Sequence, residues 1–206
     1  MANWSLIEFN TPRTQRLSDL AGVQEDLNAT KILCDRFLAE SSNNTPDGIL
    51  LKESLCSAAL VRYGRSFASG VRKWDQQNVI DNLSDFHKMD HEMFIDLRNK
   101  WIAHSVNAFE ENIVQVNLAP EEPGPKGPGW VSVTHCRVVC LSSDHIHRLS
   151  ELSEAVAHQV HKLVEEEQAT VLAFLKTLPV ESLYERISKP SPIPHRQHYS
   201  KRRTSH

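Results

Sequence analysis

At 206 residues, 40% hydrophobic and 24% charged, the chain has the composition of an ordinary folded domain with enough apolar mass for one core. No apolar run approaches the ~20 residues of a membrane-spanning helix, and Met1 to Asn10 has neither the basic start nor the apolar stretch of a signal peptide, so a cytoplasmic chain with no membrane partner is expected. The formal net charge is −3, but residues 186 to 206 carry six Lys or Arg and no acid, leaving −9 on the first 185; this excludes a broad electrostatic footprint for nucleic acid, so a polyanion site must be local or borrow the tail.

Residues 1 to 15 read as irregular, with Pro12 as a breaker and with Trp4 and Phe9 able to drape over a core. From about Arg16 to Glu40, Leu20, Val23, Leu27, Cys34, Phe37 and Leu38 recur at helical spacing, with Ser18 or Thr14 available as N-cap. The run from Ser41 to Gly48 is a polar, breaker-rich loop. After it, Leu51, Leu55, Ala58, Ala59 and Phe67 mark a second helix to about Ser69, with Gly70 as its stop.

On an ideal wheel Arg62 falls inside the stripe of Leu51, Leu55, Ala58 and Ala59, and Arg65 lies at its edge. An arginine there needs a partner, because an unpaired buried charge is costly. An internal ion pair or snorkelling supplies one account; an arginine facing a phosphate supplies the other.

A third helix is expected from about Val79 to Phe109. Asn112 to Leu118 and Trp130 to Leu141 read as strands of a β-hairpin, separated by a Pro/Gly-rich loop that cannot be helical. Ile146, Leu149, Leu152, Val156, Val160, Leu163, Val171, Phe174 and Leu178 line one side of a last helix from about Asp144 to Leu178, which Pro179 ends. Residues 188–206 have too few large apolar groups to repay ordering and read as a disordered basic tail. The expected architecture is mainly α: a helical domain over 16–187, with an inserted hairpin at about 112–141 between the third and last long helices.

Cys34, Cys56, Cys136 and Cys140 form no Cys-x-x-Cys pair and are read as free, buried thiols. His87 and His91, with Asp85 and Asp90, could share a helix face as zinc ligands do, but no Glu follows His87, and a solvated polar face is the simpler reading. His158 and His161 receive the same discount. His135, Cys136 and Cys140 lie along one strand, where positions i and i+4 are about 13 Å apart, too far to share a metal. No Gly-rich phosphate loop and no nucleophile elbow occurs, so no cofactor is expected.

The most informative stretch is Leu97-Arg98-Asn99-Lys100-Trp101-Ile102-Ala103-His104-Ser105. On a straight wheel, Met93, Leu97, Trp101 and His104 fall within roughly 60° of one another, whereas Arg98 sits about 120° from His104. Three arrangements could unite them: a bridging arginine stem, a distorted helix, or a second subunit. The two-fold dimer is the favoured one. Spacing alone says little, since 13 Arg and 11 His predict roughly two chance matches to Arg-x(4 to 6)-His in a chain of this length and the chain has one.

The whole run resembles the signature of HEPN domains, in which Arg, often followed by a polar residue, precedes His by four to six residues. Ser57 to Phe67 also looks like the second helix of some HEPN families. The resemblance implies a four- or five-helix bundle, frequently dimeric, many members being metal-independent endoribonucleases of toxin and phage-defence systems and others non-catalytic modules holding RNA, a nucleotide or a partner protein. It implies Arg98 and His104 as the catalytic pair with Asn99 as polar neighbour, RNA as substrate, and a protein antitoxin or regulator as a further partner; Lys100, Arg62, Arg65 and Ser105 are the candidate substrate contacts beside them. The family branch controlled by tyrosine nucleotidylation has Tyr two residues after the His; this chain has Val106.

Overall fold

The spacing of Leu20, Val23, Leu27, Cys34 and Phe37 yields α1, Gln15–Ala39, with all five side chains buried on one face. The structure, a computed structural model, describes residues 7, 9–68, 72–102, 110–118, 127–137 and 140–184. Trp4, His104, Ser105, residues 119–126 and the tail from 185 onward lie outside the described residues. Thr14 holds the N-cap position without capping α1; its hydroxyl instead donates to the Phe9 carbonyl at 2.7 Å and accepts from the Thr11 N–H at 3.1 Å. Phe9 then meets Phe174 edge-on at 6.5 Å.

The second helix starts earlier than its breakers suggest. Thr45 caps α2, Pro46–Phe67, by accepting from the Gly48 N–H at 3.1 Å, and Pro46 occupies the first turn, where a missing N–H costs nothing. Its buried face is Cys56, Ala59, Leu60 and Tyr63, while Leu51 is 43% exposed. The stripe is rotated from the expected one because Leu60 and Tyr63, not Leu51 and Leu55, fill the interior. That rotation takes Arg62 out of the core and sets it at the edge facing α1.

The single helix expected from Val79 to Phe109 is broken. Helix α3, Gln76–Asp81, is capped by Asp75 and ends where the Asn82 amide folds back onto the Asn78 carbonyl at 2.8 Å. Ser84 then caps a fresh helix, α4, Asp85–Leu97, accepting from the His87 N–H at 3.2 Å with Asp85 in the first turn. Leu83, buried at the break, anchors the corner. From Arg98 to Ile102 the helix continues as a π turn.

Strands β1, Glu110–Leu118, and β2, Pro128–Arg137, pair antiparallel, with an irregularity at Asn117/Leu118 that leaves Gly129 as the extra residue. Pro128 and Gly129 therefore belong to the strand, not to the loop. Alternation splits the hairpin: Val114, Val116, Leu118, Val131 and Val133 share one face. Asn117 to Ser132 and Thr134 to Gln115 side-chain bonds, at 3.1 and 2.9 Å, occupy the other.

Ser142 caps α5, Ser143–Leu175, which buries Ile146, Leu149, Leu152, Val156 and Val160; a short α6, Val180–Tyr184, follows Pro179. Helix α1 lies between α2 and α5, α4 packs on both α2 and α5, and α3 rests on α5. Leu20, Leu27, Leu60, Ile146, Leu149 and Leu152 are fully enclosed there, each contributing roughly 1.5–3 kcal/mol by burial. The chain is thus a mainly helical bundle with a two-stranded hairpin between α4 and α5, and among the described residues no helix is long and apolar enough to cross a membrane. Burial pushes the Cys34 thiol up to about 12 and Cys56 to about 11, while Cys140 is half-buried; the Cys136 side chain lies outside the described residues.

Candidate functional site

The π turn carries Arg98, Asn99, Lys100 and Trp101. Trp101 is buried and anchors the turn to the core, leaving Asn99 and Lys100 exposed and Arg98 half-buried. A π turn closes hydrogen bonds from i to i+5, so the straight-helix angle of about 120° between Arg98 and His104 does not apply here. The helix is distorted at Arg98–Ile102, and His104 lies outside the described residues. The distortion does not bear on a second subunit.

Arg98 is seated by two contacts. Its stem crosses α2 at Gly64, where an added Cβ would come within 2.7 Å of Arg98 Cγ, so only glycine admits it without displacement. Its Nη1 donates to Asn99 Oδ1 at 2.8 Å. Asn99 thereby orients the guanidinium and keeps its own amide nitrogen available as a donor. Lys100 pairs with Asp96 at 2.6 Å; both ends are more than half exposed, and such a surface pair holds the lysine only weakly.

Next to Gly64 along α2, Arg62 and Arg65 reach across to α1. Arg62 Nη1 donates to Asp26 Oδ1 at 2.7 Å, Arg72 Nη1 donates to Oδ2 at 2.6 Å, and Arg65 Nε stands 3.6 Å from Oδ2. Asp26 itself is 1% exposed. Burial pushes its pKa up, but the hydrogen bonds from Arg62 and Arg72 and the charges of Arg65 and Arg72 outweigh this and hold it below the usual carboxylate value. Gly22 makes room for Arg72, whose Cζ would lie 3.0 Å from an added Cβ. The predicted contacts Arg62 and Arg65 are thus gathered in one place, facing α1 and distinct from the π turn.

The face read as solvated, Asp85 to His91, is partly an inner face. Asp90 is fully buried and takes a two-point contact from Arg148 of α5, through Nε at 3.3 Å and through Nη2. Arg148 also stacks on Phe86, with its Cζ 5.0 Å from the ring centre. His91 Nδ1 is 2.8 Å from the buried Tyr63 hydroxyl, and its ring packs on Phe67 at 4.5 Å. His91 is therefore turned inward onto Tyr63, and the two histidines do not form an outward metal pair. Among the described residues no group of three or more His, Cys, Asp or Glu is placed to hold a metal ion.

His161 lies 2.9 Å from Gln24 and 3.5 Å from Glu165, and the exposed His158 lines the grooves that α5 forms with α3 and with α1. Neither groove includes Arg98 or the Asp26 cluster among its lining residues. No family model, curated protein or solved structure matches the chain.

Sequence reasoning picked out Arg62, Arg65, Arg98, Asn99 and Lys100, but missed Asp26, Gly64, Arg72, and the pairs Tyr63–His91 and Asp90–Arg148. One signal was available: Asp19 and Asp26 sit within the apolar stripe of α1, where an acid requires a partner. His104 and Ser105, the remaining site residues, lie outside the described residues.

Burial holds the His91 pKa below its ordinary 6.5, so the folded chain keeps this imidazole neutral at a pH where the unfolded chain protonates it. Stability then falls as pH drops below about 6.5, with a limiting slope near 1.4 kcal/mol per pH unit for one proton. Urea unfolding at about pH 7.5 and about pH 5.5 is expected to show a smaller loss of stability on acidification for His91→Gln than for the wild type. An unchanged pH slope would remove His91 as a contributor.

Proposed function

We propose that this chain is a metal-independent endoribonuclease of the HEPN type, acting as a homodimer in the role of a toxin or phage-defence effector that a protein antitoxin or regulator restrains. The observation that supports it is the seated arginine: Arg98 rests on Gly64 and is oriented by Asn99 on a π turn that leads into the segment bearing His104. A guanidinium held this way is prepared to meet a phosphate without first losing side-chain freedom.

Cleavage of an RNA phosphodiester without a metal requires a base for the 2′-hydroxyl proton, a cation for the charge on the pentacoordinate phosphorus, and an acid for the departing 5′-oxygen. His104 fills the first and third roles, since imidazole has both forms accessible near neutrality. Arg98 fills the second with two parallel hydrogen bonds that Lys could not match. Asn99 donates to a phosphate oxygen while steadying Arg98. The products are a 2′,3′-cyclic phosphate and a 5′-hydroxyl.

A binding module of the same family, holding RNA, a nucleotide or a protein without cleaving, is the second reading. The same seat serves it, because a guanidinium held at Gly64 and Asn99 grips a phosphate whether or not a histidine attacks. Incubation of total RNA with the purified chain in EDTA, followed by end-group analysis, separates the two. The nuclease reading expects cyclic-phosphate ends from the wild type and none from His104→Ala. Cleavage that stops in EDTA, or that survives His104→Ala, would sink it.

A further inference from the structure

The cluster on Asp26 contains more cations than its carboxylate needs. One arginine, binding through two nitrogens, neutralises a buried carboxylate; here three guanidiniums converge on one, each with five N–H donors. The neighbouring acid, Asp19, accepts from Gln15 Nε2 at 2.8 Å and from the Lys73 N–H at 3.0 Å, and even counting its charge the arginines are in excess. The excess faces water. Asp26 is sealed at the bottom, the Arg72 side chain is 21% exposed, and Arg62 and Arg65 are 42% and 48% exposed.

Arg65 is the least committed of the three. Its Nε is 3.6 Å from Asp26, beyond hydrogen-bond length, so a purely structural tie would gain little from it. The chain as a whole has a net negative charge, which makes this concentration of cations, two of them on one turn of α2, a local exception. The same turn carries Gly64, on which Arg98 is seated.

We infer that Asp26, Arg62, Arg65 and Arg72 form a phosphate-binding site, with the buried carboxylate holding Arg62 and Arg72 in place and Arg62 and Arg65 presenting their outer N–H groups to a backbone phosphate of single-stranded RNA. That the phosphate belongs to RNA rests on the proposed function. The site lies between α2 and α1, on a different face of α2 from the Gly64 seat of Arg98, and holds a phosphate other than the one being cleaved.

The test uses the full-length chain and a fluorescein-labelled, 2′-O-methyl RNA 12-mer of mixed sequence, which has no 2′-hydroxyl to attack and so reports binding alone. Anisotropy titrations across a salt series compare wild type, Arg65→Gln, Arg65→Lys, and Arg16→Gln as a charge-matched substitution elsewhere, with thermal unfolding of each. Arg65→Gln is expected to weaken binding about five- to tenfold and to reduce the log–log salt slope by about 0.7, one phosphate contact on a single strand. Arg65→Lys recovers part of the affinity, Arg16→Gln changes it less than twofold, and the unfolding temperatures of the Arg65 variants stay near that of the wild type.

Equal effects of Arg65→Gln and Arg16→Gln, no effect of Arg65→Gln, or no binding by the wild type would overturn the site. Cleavage of ordinary RNA is scored separately. Arg65-dependent binding by a chain that cleaves nothing overturns the nuclease and leaves this site standing; cleavage with Arg65-independent binding does the reverse.

Discussion

Arg148→Met is expected to lower stability by about 3–5 kcal/mol, the cost of leaving a buried charge without its partner. Asp90 is fully enclosed between α4 and α5, and Arg148 meets it at two points. Met approximates the arginine stem and preserves its packing near Phe86, so the loss reports mainly the stranded carboxylate. For a chain of this size, at ~2–4 °C per kcal/mol, the melting temperature falls by on the order of 10 °C. Asp90→Leu alone costs less, because Arg148 is 26% exposed and turns its charge to water. Combining the two substitutions is expected to regain most of the loss, since an apolar pair of similar volume can replace a buried ion pair. A chemical denaturation series on the three variants checks the order. Arg148→Met within ~1 kcal/mol of wild type would show that Asp90 is not dependent on this partner.

The second large effect concerns cleavage. Removing Arg98 as Arg98→Ala is expected to lower the RNA cleavage rate by about 10²–10³-fold, the range seen when one preorganised donor to a charged transition state is lost. Its effect on folding is small, since Arg98 is only half-buried and its one described hydrogen bond is to its neighbour Asn99. Arg98→Lys keeps the charge but loses the fork, so an intermediate rate is expected. Gly64→Ala should act in the same direction, because the added Cβ displaces the Arg98 stem. Cleavage within about threefold of wild type for Arg98→Ala, read by single-turnover kinetics on a defined RNA, would show that the arginine takes no part.

Much of the bundle can be read without coordinates because its long helices announce themselves. In α1 and α5 the apolar residues recur at helical spacing over many turns, and Leu20, Val23, Leu27, Ile146, Leu149 and Val156 are buried where that spacing puts them. The break at Asn82 to Ser84 is harder to read, because Asn82 stops α3 and Ser84 caps α4 within three residues, none of them a proline or glycine. The π turn is illegible to an ideal wheel, which assumes a constant rotation per residue.

The site divides along similar lines. Arg62 on an expected apolar stripe signalled that a partner existed, and the structure supplies Asp26, 36 residues earlier. Which acid would serve, and that Arg72 would join it, depends on how α1, α2 and the segment before α3 pack, a tertiary fact with no local signature. The same holds for Asp90 and His91. A run of Asp and His reads as a wet surface until Arg148 and Tyr63, 58 and 28 residues away, are brought against it.

In the proposed homodimer, Arg98 of one protomer and His104 of the other would form one catalytic site across the two-fold axis. Mixing Arg98→Ala with His104→Ala after co-refolding or subunit exchange tests it, because each mixed dimer would combine an intact arginine from one protomer with an intact histidine from the other. Two separately inactive preparations are expected to recover about a quarter of the wild-type cleavage when mixed in equal amounts, half of the dimers being mixed and each having one of its two sites restored. A mixture that stays as inactive as its components, although subunits have exchanged and the wild type cleaves RNA in EDTA, would contradict the shared site.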